Sequence, residues 1–507
     1  MIKKIFYSII IIIICISITK AQVINGTIIA DTANITIVKV WGTHYERGYA
    51  QGFLLSDKIY DLYVNYILSQ VGSYMSLAKS MIESDIHIHI DQKYKTEAQG
   101  MINGMADAGI DTTGVDYLDI LVANSFIDLE GFPGIKLNMG NNCSTFASWN
   151  DATYLSPLQG KSVISRHLDW GPDPAIVNNQ VIVAHIPSET DEQPWIMVGF
   201  AGQISALSAF NNEGLAIFQN MMSDFPGPAA QFYQAYEPIW FTMRKAIEQY
   251  DYNYDGYNDC NDIRSAIQSN SQGYADGYII TCLAPSTAIE DSLIALIAEV
   301  APQAPLLTFR TNSYEDSIPN DNLYAANYEI KRNNHRHYCS RYLGVVSGLG
   351  QAGDKISTYK NWEIIRDYSN AGSSNIQLMQ FVPEDRYFDI TVYRNNTAAY
   401  LQDSIRIWLD SLFELSVHSS IYLNLHNNLI VQPNPFNQTT TILFDNPQKE
   451  IFTLRVIDNK GKVVFLDDNV FDNKVIFSAK NFKPGIYYIL LNGNKNSLYK
   501  TKIIIYN

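Results

Sequence analysis

Cys143 stands in "NNCSTFASW", and Arg166 and Asp169 follow in "VISRHLDWG". A free thiol ionises near pH 8.5, so a catalytic one needs a base or a cation at its side. Arg166 offers the cation. In a strand, Arg166 and His167 fall on opposite faces, and Asp169 needs a local turn to rejoin Arg166. A carboxylate orients an ammonium, and an ammonium arises here if the chain is cut just before Cys143. The freed α-amino group, with a pKa near 8, then takes the thiol proton, so one residue supplies both nucleophile and base. The cysteine is internal, on this reading, because all that precedes it is a pro-segment. A core cysteine or a disulfide partner is the plainer alternative.

A second group with chemistry is "DYNYDGYNDCND". Asp251, Asn253, Asp255 and Asp262 fall at positions one, three, five and twelve of a calcium loop, with Gly256 at the sharp turn and Asp259 at the ninth place. Hard oxygen donors at alternate positions wrap one ion. The twelfth residue is Asp where a bidentate Glu is usual, and a solvated Asp/Asn turn is the competing reading. A structural calcium ion is the expectation, since extracellular calcium suffices for weak loops. His335 and His337 lack a carboxylate or Cys pair at zinc-ligand spacing.

The elements that must hold these residues read as follows. Residues 41–120 are mostly helical by the three- and four-residue recurrence in "YAQGFLLSDKIYDLYVNYILSQV" and "YKTEAQGMINGMADAGI". "GFPGIKLNMGNNC" breaks that pattern and leads to Cys143 as an exposed loop. From Cys143 to about Glu299, short β-branched runs such as "QVIVAHI" and "PWIMVGF" predict strands around a helix in "YEPIWFTMRKAIEQY", an α/β pattern. The last eighty or so residues hold six strand-length runs separated by turn signals, the pattern of a small all-β sandwich.

A chain of 507 residues with 47% apolar side chains has length and composition for a large core. Its net charge of −15 excludes nucleic acid and anionic membrane as main partners, because phosphate binding needs a basic face. Lys3 and Lys4 precede a short apolar run, and Thr19 and Ala21 precede Gln22 as at a signal-peptidase site. Residues 1–21 thus read as a signal peptide, with no integral membrane segment after its removal. Cys15 leaves with it. Among Cys143, Cys260, Cys282 and Cys339 the disulfide pairing is open, and a reactive Cys143 leaves at least one other thiol unpaired.

"NNCSTFA…GKSVISRHLDW" resembles the start of the mature chain in the N-terminal-nucleophile cysteine hydrolases, the group of isopenicillin N acyltransferase, bile salt hydrolase, penicillin V acylase and acid ceramidase. "WGTHYERGYAQGFLL" resembles the G-x-x-x-E-R-G-x-x-x-G opening of the acyltransferase pro-segment. "SALSAFNNEGLAIFQN" resembles the G-x-N-x-x-G-L segment, "AANYEIKR" the T-N-H stretch, and "YCSRYLGV" the S-R-F stretch. The resemblance implies a four-layer αββα sandwich. It implies Cys143 as nucleophile and base, Asp169 holding the new amino group, and Arg166 beside the thiolate. It also implies the Asn211 main-chain N–H and the Asn327 side chain as oxyanion donors, and Arg341 completing the polar network. His167 in place of Asn, Ala209 in place of Gly and Tyr328 in place of His depart from the pattern. The C-terminal "PNPF", "VIDNKGKVV" and "GIYYILL" resemble the sorting domain of type IX secretion substrates, which implies that machinery as a partner and a secreted or cell-surface location.

The expected organisation is a signal peptide (1–21), a helical pro-segment removed or cleaved autocatalytically (22–142), a catalytic domain (143–420) and a sorting domain (428–507). The expected activity is a self-processing amidase or acyltransferase that attacks a linear acyl amide through a thioester, with no catalytic cofactor. Two rivals are a catalytically idle, calcium-stabilised surface protein and a papain-like protease pairing Cys143 with His335 or His337. The latter expects a helix at its nucleophile, whereas "CSTFASW" reads as a strand.

Overall fold

The computed structural model describes residues 23–32, 34–131, 142–222, 235–271, 273–286, 292–314, 318–333, 339–350, 355–414, 424–425, 429–444, 446, 451–458, 462–493 and 498–506. The expected leader, the loop 132–141 ahead of Cys143, and His335 and His337 lie outside them. The chain divides into two compact units. One is Met1–Asn141, Asp173–Asp316 and Asn327–Tyr338; the other is Asn142–Pro172, Ser317–Ala326 and Cys339–Asn507. A boundary between them therefore falls one residue before the bond expected to be cut.

The first unit is built on a nine-stranded sheet. The expected helical pro-segment (22–142) is corrected at its start, where Gly26–Thr32 and Ile35–Gly42 are strands ahead of the mostly helical stretch. The β-branched run "ITIVKV" favours extended backbone, and Ile35–Gly42 pairs in parallel with Gln180–Pro187, from Thr36 opposite Val181 to Gly42 opposite Pro187. Every residue from Gln180 to Ile186 is buried, so the strand reads as a nearly continuous apolar run.

The helices His44–Leu54 and Gln92–Asp107 cross in this unit with their backbones in contact. A Cβ on Gly48 or Gly52 would lie 2.0 Å from the carbonyl oxygen of Glu97 or Met101. One on Gly100 or Gly104 would meet the carbonyl of Tyr45 or Tyr49 at 2.3 or 2.1 Å. Only glycine fits at these four positions. Around the crossing lies a buried ionic cluster. His44 bridges Glu97 and Glu192 at 2.7 and 2.8 Å, and Arg47 holds Glu189 and Glu192 at 2.8 and 3.0 Å. Lys93 reaches Glu192 and Glu248, while Arg244 joins Glu97 and Glu248. The motif "GTHYERGYAQG" is thus interior architecture: Thr43 and Glu46 form a capping box, Arg47 neutralises two carboxylates, and Gly48 and Gly52 admit the partner helix.

In the second unit a seven-stranded sheet runs in the order Asn322–Ala325, Asn142–Ser148, Val163–Asp169, Asn375–Val382, Tyr387–Val392, Ile405–Trp408 and Asn424–Leu425. Every element described between Ile430 and Ile505 is a strand, arranged as a three-stranded and a four-stranded sheet. Ile442 and Phe477 from one sheet and Leu454 and Ile489 from the other belong to a single buried cluster.

Candidate active site

Strand register positions the thiol. Asn142–Ser148 pairs antiparallel with Val163–Asp169, setting Cys143 opposite Leu168, Thr145 opposite Arg166 and Asn142 opposite Asp169. Opposed residues share a face and every second residue returns to it, so Arg166 approaches Cys143 diagonally. Its Nη2 donates to Cys143 Sγ at 3.9 Å. Cys143 is 3% exposed and Arg166 is fully buried. Burial pushes the thiol up from its ordinary value; the Arg166 guanidinium opposes this, the Asp169 carboxylate adds to it, and Arg341 opposes it, with a net rise. A raised thiol is protonated at neutral pH and needs a base before it can attack.

Arg341, in the helix Ser340–Leu349, donates through Nη1 to the Cys143 carbonyl at 2.7 Å and to Ser144 Oγ at 3.2 Å. On the face of the strands away from the thiol, His167 lies opposite Ser144. Its Nδ1 is 3.3 Å from Asp169 Oδ1 and its Nε2 3.2 Å from Ser369 Oγ. Asp169 ends its strand where the neighbouring Asn375–Val382 shifts register between Asn375 and Gln377, so the local break sits in the partner strand. Cys143, Arg166, Asp169 and Arg341 are thereby gathered in one unit. Ser144, Tyr324 and Ser369 join them through hydroxyl hydrogen bonds, and nothing local in the sequence marks those three.

Asn211 and Asn327 belong to the other unit. The Asn211 N–H, expected on an oxyanion, instead donates to the Leu215 carbonyl at 3.0 Å, and its side-chain oxygen accepts the Leu215 N–H at 2.9 Å. The reason is the turn itself: Gly214 takes a positive φ of 93° and folds N-x-x-G-L back on its own asparagine. Asn327 is fully buried, and its Nδ2 donates to the Met221 carbonyl at 2.6 Å.

In the Asp251–Asp262 loop, Asp251 accepts the N–H groups of Asp255 and Gly256, and Asn253 accepts that of Asp255. Asp262, expected as the twelfth-position ligand, does other work. It closes a capping box with Asp259 at the start of the helix Cys260–Ser269 and accepts from Tyr252, Asn253, Asn258 and Asp259, which occupies both of its oxygens. His44, Glu189 and Glu192 have metal-like spacing. Arg47 and Lys93 already neutralise those carboxylates, so a further cation there meets positive charge. Cys143, Cys260, Cys282 and Cys339 are all buried as thiols; Cys260 donates to the Ile294 carbonyl at 3.3 Å and Cys282 to the Leu296 carbonyl at 3.7 Å. Among the described residues no helix is long and apolar enough to cross a membrane.

Protein dcd1B of Dictyostelium discoideum is 21% identical over 241 residues, 44% of this chain and 44% of that protein. The chain thus spans under half the length of that relative. Among solved structures, the N-acylethanolamine-hydrolyzing acid amidase ortholog of Caenorhabditis elegans is 13% identical, covering 48% of this chain and 93% of its own, with a TM-score of 0.30. A variant of conjugated bile acid hydrolase from Clostridium perfringens is 10% identical, covering 55% and 96%, also with a TM-score of 0.30. Superpositions that loose add nothing to the geometry above. The family model of the secretion system C-terminal sorting domain matches residues 431–506. That segment is a type IX secretion sorting domain, and it directs the chain to the cell surface or the extracellular space.

Proposed function

We propose that this exported chain is a self-processing cysteine amidohydrolase or acyltransferase whose nucleophile and base are both Cys143. The observation that carries the proposal is a buried thiol beside a guanidinium, at the second residue of a strand whose first residue, Asn142, is exposed. The nearest imidazole in the strand pair, His167, is engaged by Asp169 and Ser369 and is not the thiol's base. A strand, not a helix N-terminus, presents the sulfur, which disfavours the papain-like alternative.

In the first step Cys143 Sγ attacks the Asn142 carbonyl carbon, and the C–N bond to Cys143 breaks as the departing nitrogen takes the thiol proton. The resulting thioester is hydrolysed by water, which leaves a carboxylate on Asn142 and a free thiol and α-amine on Cys143. The amine, held by Asp169, then serves as base for attack on an acyl amide. The substrate's acyl group passes to sulfur, its amine leaves with the proton, and water or a second amine releases the acyl group. Arg166 stabilises the thiolate. The resemblance also implies Asn327 as an oxyanion donor, and its Nδ2 here donates to the Met221 carbonyl; the Asn211 N–H is committed to its turn. The domain divisions at 142, 420 and 428 belong to the same proposal. So does a structural calcium ion, on the reduced donor set of Asp251, Asn253 and Asp255, which a rise in melting temperature on adding calcium to chelator-treated protein tests.

The deciding experiment is denaturing electrophoresis with N-terminal sequencing of the exported protein. Two fragments, the second beginning at Cys143, are expected. One uncut chain leaves the idle surface protein as the surviving reading.

A further inference from the structure

Five hydrogen bonds run in series through the interior behind Cys143. Arg341 Nη1 meets Ser144 Oγ at 3.2 Å, Ser144 Oγ meets Tyr324 Oη at 2.8 Å, and Tyr324 Oη meets Ser369 Oγ at 2.9 Å. Ser369 Oγ meets His167 Nε2 at 3.2 Å, and His167 Nδ1 meets Asp169 Oδ1 at 3.3 Å. Ser144, Tyr324, Ser369 and His167 are fully buried, and Asp169 is 4% exposed.

With a neutral imidazole the two ends set the direction of every bond between them; a cationic ring would run the series the other way, with Ser144 accepting from both Arg341 and Tyr324. A guanidinium only donates, and an ionised carboxylate only accepts. Ser144 therefore accepts from Arg341 and donates to Tyr324, Tyr324 donates to Ser369, and Ser369 donates to His167 Nε2. The neutral imidazole then carries its proton on Nδ1 and donates to Asp169. Reversing any one hydroxyl alone leaves two donors or two acceptors facing each other among fully buried side chains, which is costly.

We propose that Ser144, Tyr324, Ser369 and His167 form a one-way hydrogen-bond chain that positions Asp169. Its meaning for catalysis rests on the self-processing reading, in which Asp169 captures the amine born on Cys143. Oδ1 is pinned by His167, which leaves Oδ2 to the ammonium. The same Arg341 nitrogen that starts the chain holds the Cys143 carbonyl at 2.7 Å, so the residue carrying the nucleophile and the carboxylate awaiting its amine are referenced to one guanidinium. His167, Tyr324 and Ser369 touch neither sulfur nor substrate in this scheme; they are positioning residues.

The test has two arms on the full-length chain. In the uncut Cys143→Ala protein, two-bond 1H–15N spectra of 15N-histidine, with His167 assigned through His167→Asn, are expected to show a neutral ring protonated on Nδ1. An Nε2-protonated or cationic ring overturns the chain's direction, whether or not the protein is an enzyme. In the second arm the self-cleavage rate is followed on gels. Tyr324→Phe and Ser369→Ala are expected to slow it by roughly 10- to 100-fold, because a misplaced Asp169 no longer captures the amine as it leaves the Asn142 carbonyl and the acyl shift to sulfur reverses, while Ser369→Thr, which keeps the hydroxyl, restores it. Unchanged signals from the other histidines report that each variant is folded. A wild type that cleaves alongside Tyr324→Phe and Ser369→Ala variants that cleave equally fast overturns the positioning role alone. A wild type that stays whole overturns the functional reading, and the role of the chain in it.

Discussion

The ionic cluster around His44 and the hydroxyl chain behind Cys143 are both buried and polar, yet they are built on opposite plans. In the first, four carboxylates (Glu97, Glu189, Glu192, Glu248) meet Arg47, Lys93, Arg244 and His44, and opposite charges pair inside the cluster. Burial alone would lower the His44 pKa, but its hydrogen bonds to Glu192 and Glu97 outweigh that and raise it. In the second, one cation and one anion stand at the ends of a series of neutral groups, and one carboxylate oxygen is kept for a newcomer. A closed cluster holds a structure together; an open-ended one, on the self-processing reading, prepares a place for a charge that does not yet exist.

The sharpest break of that contrast is Cys143→Ala. Self-cleavage and thiol labelling at residue 143 are expected to vanish, while the ionic cluster and the melting transition persist; gels and calorimetry check both. Next in size is Arg47→Met in the uncut Cys143→Ala background. It strips the buried Glu192 and the partly buried Glu189 of a cation, and removing one partner of a buried pair costs about 3–5 kcal/mol, to be read from urea unfolding. Gly48→Ala tests the helix crossing itself: a methyl group driven towards the Glu97 carbonyl forces the helices apart, with a loss of about 1–3 kcal/mol as in other overpacked sites. The smallest effect is that of pH. Because the His44 pKa is raised in the folded state, its contribution is fully present below the ordinary value of 6.5 and is lost as pH rises through the raised value. Unfolding free energies of the uncut chain measured on both sides should fall with rising pH, and His44→Gln should flatten that slope.

What the sequence disclosed follows the range over which its signals act. The strands at Val163–Asp169 and Gln180–Pro187, the helices at His44–Leu54 and Gln92–Asp107, and the tail strands are all written in local periodicity. The resemblance placed Arg166 beside Cys143, but the diagonal geometry of that approach depends on pairing register across 23 residues and was not legible. Tyr324 and Ser369 were hidden more deeply, since 180 and 202 residues separate the partners in their bonds to Ser144 and His167. Asn211 was misplaced for the opposite reason: the motif was visible, but the turn's own hydrogen bonds were not. His167, set down as a departure from the family pattern, turns out to be the link between Ser369 and Asp169.

The parallel pairing of Ile35–Gly42 with Gln180–Pro187 reaches beyond the site. If the polypeptide is severed at Cys143, the amino-terminal piece still supplies two strands of the nine-stranded sheet. Stripping that piece away would bare a long apolar edge at Gln180–Pro187, with its amides and carbonyls open to strand addition from any other copy. On that reading, solubility outside the cell would depend on the severed piece staying where it folded.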